Sequence, residues 1–304
     1  MTEIVMSWEQ LPDSVKVSLV SVTSLLLAII GGSTIFDTLI QRILDRWKQK
    51  KDLSSLYRKY SAPLFRSSHE LSFRLFNIIY DSRGEFLAKT SFYTGSVERK
   101  SISRSDPYFL NYQSMSTLYR LCAFLGWIEL YKKETTFLQP MNDRRTRSLE
   151  LKISDILSDF ADRTDGTATN WNTWYEKKRN TFVDPSTNSP PNWKSGNDFL
   201  IYREESRAIG ESMIEIHQGE RNIIGYARFI ELLEQETINP TQKWSKVVIG
   251  FLEDFYFDPA DLRYYRLVQL AIDLVDIAIT IDRRAVDPRL IERQSEMRKR
   301  LTSP

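Results

Sequence analysis

The sequence predicts an all-α protein in which a single amino-terminal transmembrane helix precedes a cytoplasmic multi-helix domain, and three observations carry that expectation. Residues 17–36, VSLVSVTSLLLAIIGGSTIF, hold no charged side chain, and about 20 residues at about 1.5 Å each match a hydrocarbon core of about 30 Å. Further along, apolar side chains recur at spacings of three and four in segment after segment, which is the helical period. Strand and helix patterns do not alternate, and no repeat of about 20 to 50 residues is present, so neither a parallel α/β sheet nor a solenoid is expected.

Composition narrows the function classes. A chain of 304 residues with 41% hydrophobic and 12% aromatic content can bury a sizeable core. Its 42 basic and 40 acidic residues leave a formal net charge of +2, so no global field draws it to nucleic acid. Cys122 is the single cysteine; it precludes an internal disulfide, fits a reducing compartment, and reads as an inert core thiol in the run LCAFLGWIEL. His69 and His217 are the two histidines, too few for a histidine metal centre or an ordinary triad. No Gly-rich phosphate loop, GxSxG elbow, HExxH or kinase motif occurs, and no metal or cofactor is expected.

Residues 1–16 carry Glu3, Glu9 and Asp13, an acidic start unlike that of a secretory signal, and form a short non-cytoplasmic tail. After the span at 17–36 come Arg42, Arg46, Lys48, Lys50, Lys51, Arg58 and Lys59, against Lys16 before it, which places the remainder in the cytoplasm. Residues 37–62 form a juxtamembrane helix with Leu39, Ile40, Ile43, Leu44 and Trp47 on one face. Lys48, Lys50 and Lys51 beside it suit anionic lipid headgroups, with a solvated helix as the alternative. Ser21, Ser24, Ala28 and Gly31 in the span permit close approach of a second copy, so a homo-oligomer is open.

Residues 63–304 make the helical domain. Pro63 stands in the first turn of a helix carrying Leu64, Leu71, Leu75, Ile78 and Ile79. Residues 82–107 are a connection, and 118–130 belong to a central buried helix, apolar on most sides. The segment RRTRSLELKISDILSDFADR follows as an amphipathic helix. A polar and aromatic loop spans about 164–197. Then come FLIYREESRAIGESMI, helices in YARFIELLEQE and WSKVVIGFLEDFYF, a long apolar helix over about 259–284, and a charged end beyond Pro288.

Helical spacing in FLIYREESRAIGESMI places Glu204, Arg207, Glu211 and Glu215 on one face. In a cleft, Arg207 suits a phosphate or carboxylate and Glu211 a general base; a structural ion-pair network is the commoner use of such a stripe. Gly210 would let another helix approach. Asp273 and Asp276, one turn apart in the long apolar helix, are candidate buried charges, better matched to an arginine such as Arg74, Arg120 or Arg207 than to Mg²⁺. Trp171, Trp174, Lys177, Lys178 and Arg179 combine residue types favoured at docking surfaces, with base stacking the lesser alternative.

Three blocks, YSAPLFRSSHELSFRLFNII, STLYRLCAFLGWIELYKKETTFL and FLIYREESRAIGESMI, resemble a bacterial family of membrane-anchored helical proteins with no assigned function. The likeness rests on Arg74 with Asn77, Trp127 with Glu129, and Arg207 with Glu211. It implies a single-pass protein of the bacterial inner membrane and carries no catalytic residue over. The expected function is a membrane-anchored cytoplasmic binding, scaffolding or sensor/effector module with an unidentified protein partner. One alternative is an enzyme acting on a phosphorylated or lipid substrate through Arg207, Glu211, Asp273 and Asp276. The other is an oligomeric membrane effector or pore.

Overall fold

The computed structural model describes residues 16, 21, 33–80, 106–135, 144–161, 201–253, 255 and 262–302. The chain divides into two units, Met1–Asp52 and Leu53–Pro304. Among the described residues no helix is long and apolar enough to cross a membrane; the expected span at 17–36 lies outside them except for Ser21 and the helical backbone of 33–36. The loop at 164–197, with Trp171, Trp174, Lys177, Lys178 and Arg179, also lies outside the described residues, as does the connection up to residue 105.

Helix α1 runs Ser33–Tyr80, so the juxtamembrane helix and the helix expected to start at Pro63 are one element. Pro63 sits inside it. A proline there removes one backbone hydrogen bond and costs about 3 kcal/mol, offset by burial of Tyr60, Leu64, Leu71 and Leu75 on the same helix. In the first unit Ile40, Ile43 and Leu44 are exposed.

The second unit is built around α2 (Pro107–Thr135). Leu118, Leu121, Phe124, Leu125, Ile128 and Leu130 are all buried, and apolar residues on every side let neighbours pack all round it. Its side chains meet α1, where Tyr60 sets its ring edge-on to Tyr131. Helix α3 (Arg144–Phe160) turns Leu149, Ile153 and Ile156 inward. Helix α4 (Arg203–Ser212) is followed by strands β1 (Ile214–His217) and β2 (Glu220–Ile223). Helices α5 (Tyr226–Glu234), α6 (Pro240–Leu252), α7 (Leu262–Asp282) and α8 (Pro288–Thr302) complete the unit. The main packing partners are α2 with α4, α3 with α7, α4 with α6 and α7 with α8.

Three helices begin the same way. Asp106, Asn239 and Asp287 each accept a hydrogen bond from a backbone N–H just inside α2, α6 and α8, and each is followed by proline, whose missing N–H is no loss in a first turn.

The domain is mostly helical, as expected, with one correction. β1 and β2 form an antiparallel hairpin, Ile214 opposite Ile223 and His217 opposite Glu220. Gln218 and Gly219 both adopt positive φ, 52° and 84°, the paired left-handed turn that matches strand twist. The helical stripe therefore ends before Glu215, which lies on β1. The hairpin is fastened to the core by the Ile224 N–H donating to Met213 O at 2.9 Å.

Candidate functional site

The most developed polar site of the domain lies where α2, α3 and α4 meet. Gly210 sets its geometry: a Cβ there would stand 2.6 Å from Leu125 O and 2.9 Å from Glu129 Cβ. Only glycine allows α4 to lie so close on the α2 backbone, as the sequence suggested. That approach brings the Arg207 stripe over α2. Arg207 Nε is 3.5 Å from Glu129 Oε1 and 3.4 Å from Glu211 Oε1, and Lys133 Nζ is 2.9 Å from Glu211 Oε1 and 4.0 Å from Glu129 Oε1.

The two carboxylates differ in environment. The Glu129 side chain is 8% exposed; burial pushes its pKa up, against the pull of Arg207 and Lys133. Glu211, at the rim, has its pKa lowered, mostly by the hydrogen bond from Lys133. Lys132, one position from Lys133, has its pKa lowered by burial and partly restored by Glu150 and Glu129.

Beside this network opens a cleft of about 440 Å³. Leu125, Ile128 and Leu157 give it an apolar part, and among its charged residues Lys132, Lys133, Arg203 and Arg207 outnumber Glu129 and Glu204. Arg203 donates through Nη2 to Ser158 Oγ at 3.1 Å. Ser206, 2% exposed, lines the same cleft, and its hydroxyl has no hydrogen-bond partner. A buried hydroxyl without a partner forfeits about 1–3 kcal/mol, and the Ser206 Oγ is itself closed off from the open part of the cleft. The Tyr202 N–H donates to the Glu205 carboxylate at 2.9 Å, fixing the start of α4.

The aspartates belong to a different cluster. Asp276 accepts from Lys152 Nζ at 3.1 Å, Gln294 Nε2 at 2.7 Å and Arg298 Nη2 at 2.7 Å. Asp273 is 5% exposed and accepts from Gln269 Nε2 at 3.0 Å. Their cationic partners are Lys152 and Arg298 rather than the Arg74, Arg120 or Arg207 suggested by sequence. The four candidate residues thus separate into two pairs, Arg207 with Glu211 and Asp273 with Asp276, that share no partner in the contacts described. Among the described residues no group of three or more histidine, cysteine or acidic side chains could hold a metal ion. Cys122 is buried and its thiol is pushed up to about 12 by burial, far from a reactive thiolate.

Sequence reading found Arg207 and Glu211 but did not assign Lys132, Lys133, Arg203 or Ser206 to a site. Glu129 carried a usable signal, a lone carboxylate in the apolar run LCAFLGWIEL with Lys133 four residues on. Nothing local marks Ser206, whose role depends on its neighbours across α2.

No protein-family model matches the chain, and neither does a curated protein or a solved structure.

Proposed function

We propose that the chain is a membrane-anchored helical binding module at the cytoplasmic face of a bacterial inner membrane, and that its cleft between α2, α3 and α4 takes a small acidic ligand. The observation that carries the ligand reading is the excess of cations over carboxylates in the cleft, Lys132, Lys133, Arg203 and Arg207 against Glu129 and Glu204, beside an apolar part. An acid group suits the guanidinium of Arg203, and an apolar body suits Leu125, Ile128 and Leu157.

Support for the anchor is separate. It consists of the uncharged run at 17–36, the basic residues that follow it, and the exposure of Ile40, Ile43 and Leu44 at helical spacing. Binding is favoured over catalysis because Asp273 and Asp276 are engaged by Lys152, Gln294, Arg298 and Gln269, leaving Arg207 and Glu211 without the second acid pair that the enzyme reading required.

The test is thermal unfolding of the detergent-extracted full chain against a panel of small carboxylic and phosphoric acids, repeated with Arg203→Met and Ser206→Ala. At least one acid should raise the midpoint of the wild-type chain by several degrees, in proportion to the logarithm of its concentration, and Arg203→Met should abolish the rise. A panel without effect, or a rise that survives Arg203→Met, overturns the reading.

A further inference from the structure

A second polar site, at the seam of α1 and α2, has the opposite electrostatic character. Arg74 on α1 donates through Nη2 to Ser116 Oγ on α2 at 3.4 Å, and its Nε is buried with no partner. Burial, followed by repulsion from Arg120, pulls the Arg74 pKa down to about 10. Arg120 lies one turn beyond Ser116 on α2. Among the described residues neither arginine is ion-paired with a carboxylate, whereas Lys133, Lys152, Arg207 and Arg298 each are.

Arg120 also lines a groove of about 350 Å³ between α1 and α2, together with Arg66, Glu70 and Trp127. Arg74 is held, through Ser116, one helical turn from Arg120, and cations gathered without an anion cost free energy that a native fold ordinarily removes by pairing. A fixed guanidinium fork offers parallel N–H donors to a tetrahedral or planar oxyanion.

We propose that Arg74 and Arg120 are the anion-binding pair of a second ligand site, and that the ligand is a phosphate monoester whose remaining part lies in the groove beside Trp127. Charge matching selects phosphate over carboxylate. The groove's own charges are Arg66 and Arg120 against Glu70, and Arg74, which lies outside its lining on Ser116 one turn before Arg120, adds a further cation at its end; a phosphate monoester carries about −1.5 to −2 near neutral pH where a carboxylate carries one. The site is independent of the acid-binding cleft at α4.

Two sources supply this chemistry, a soluble organic phosphate and the headgroup of phosphatidic acid. The full chain is measured by thermal unfolding in neutral detergent with phenyl phosphate, and in nanodiscs with and without phosphatidic acid. Arg74→Met, Arg120→Met and Arg120→Lys are compared with wild type and with Arg207→Met. Saturating ligand should raise the wild-type midpoint by about 4 °C or more. Arg74→Met and Arg120→Met should abolish the rise, and Arg120→Lys, which keeps charge and stem but loses the fork, should weaken affinity about tenfold. A response to phenyl phosphate supports the proposal with a soluble ligand; a response confined to phosphatidic acid discs supports it with a headgroup. No response in either arm overturns it. So does a response that persists in Arg74→Met and Arg120→Met, or one that Arg207→Met removes, since that places the anion in the other cleft.

Discussion

Arg207 and Arg74 are both arginines at an interhelical seam of α2, and they are stabilised in opposite ways. Arg207 is 64% exposed yet lies within 3.5 Å of two carboxylates, with Lys133 completing the network around Glu129 and Glu211. Arg74 is partly buried, has a hydroxyl as its partner and feels the charge of Arg120, one turn beyond that hydroxyl on α2. The first arrangement is neutralised internally whether or not anything binds. The second raises the energy of the unliganded protein and lowers it only when an anion arrives. Charge balance, more than the presence of charge, therefore separates a polar cluster that is satisfied without a ligand from one that is not.

The largest expected effect tests the close contact on which the balanced network depends. In Gly210→Ala the new methyl would meet Leu125 O, a backbone atom that cannot swing aside. We expect a loss of about 3 kcal/mol, read as a lower denaturant midpoint, together with weaker acid binding in the cleft. Gly126→Ala is the contrasting variant: its nearest neighbours are the Ile223 Cδ1 tip at 2.9 Å, which can rotate away, and Met213 Cβ at 3.0 Å, a looser approach than the 2.6 Å to a backbone oxygen at Gly210, so the loss should be smaller. Equal losses would mean that the α2–α4 contact is more pliant than its geometry implies.

A second variant would convert a balanced cluster into an unbalanced one. Asp276→Asn removes the carboxylate that Lys152 and Arg298 share, while Lys152 keeps Asp155 at 3.6 Å, and so shifts this cluster toward an excess of positive charge. The expected destabilisation is about 2 kcal/mol, since the carboxylate is mostly buried and takes four hydrogen bonds. Phosphate should recover part of it. Unchanged stability would show that this cluster contributes little despite its geometry.

Much of this contrast was out of reach of the sequence for a physical reason. Helices α2, α3 and α7 were legible because their apolar period is local, and the Arg207 to Glu211 pair because four residues separate partners on one helix turn. The hairpin was missed because its turn reads Gln218-Gly219 rather than Asn-Gly or Asp-Gly, and Ile214 continues the apolar spacing of α4. Pro63 suggested a helix start, but burial on both sides of it outweighs the missing hydrogen bond. Partners of Asp276 come from α3 and α8, and the orphaned state of Arg74 depends on what α2 does not place opposite it. Those are facts of tertiary packing, which no local period records.

The pH dependence of stability should separate the two carboxylates of the balanced network. Burial raises the folded pKa of Glu129 above its ordinary value of 4.5, so between those two values the folded chain holds more protons than the unfolded one. Stability from this group is greatest below 4.5 and declines as pH rises to the folded value. Glu211 has the opposite sign: its lowered pKa contributes stability above its ordinary value, and this is lost as pH falls through the folded value. Glu129→Gln should remove the decline above pH 4.5 and leave the acid-side loss in place. Urea midpoints measured across that range check it, and an unchanged profile would mean that Glu129 titrates as an exposed carboxylate does.

The smallest expected effect on stability carries the sharpest functional contrast. Arg207→Met should change the unfolding free energy by no more than about 1 kcal/mol, because the side chain is 64% exposed and water screens its pair with Glu211. Lys133 still holds Glu211 at 2.9 Å and stays 4.0 Å from the buried Glu129, so part of the network survives its loss. The same variant should weaken acid binding in the cleft by about tenfold, the worth of one charge-assisted contact. Arg120→Met should behave the other way round without ligand and raise the midpoint, because it relieves the repulsion on Arg74. The two variants together decide whether charge balance is the right criterion: a destabilising Arg120→Met would place Arg120 among the structural arginines, and the distinction between the two seams of α2 would disappear.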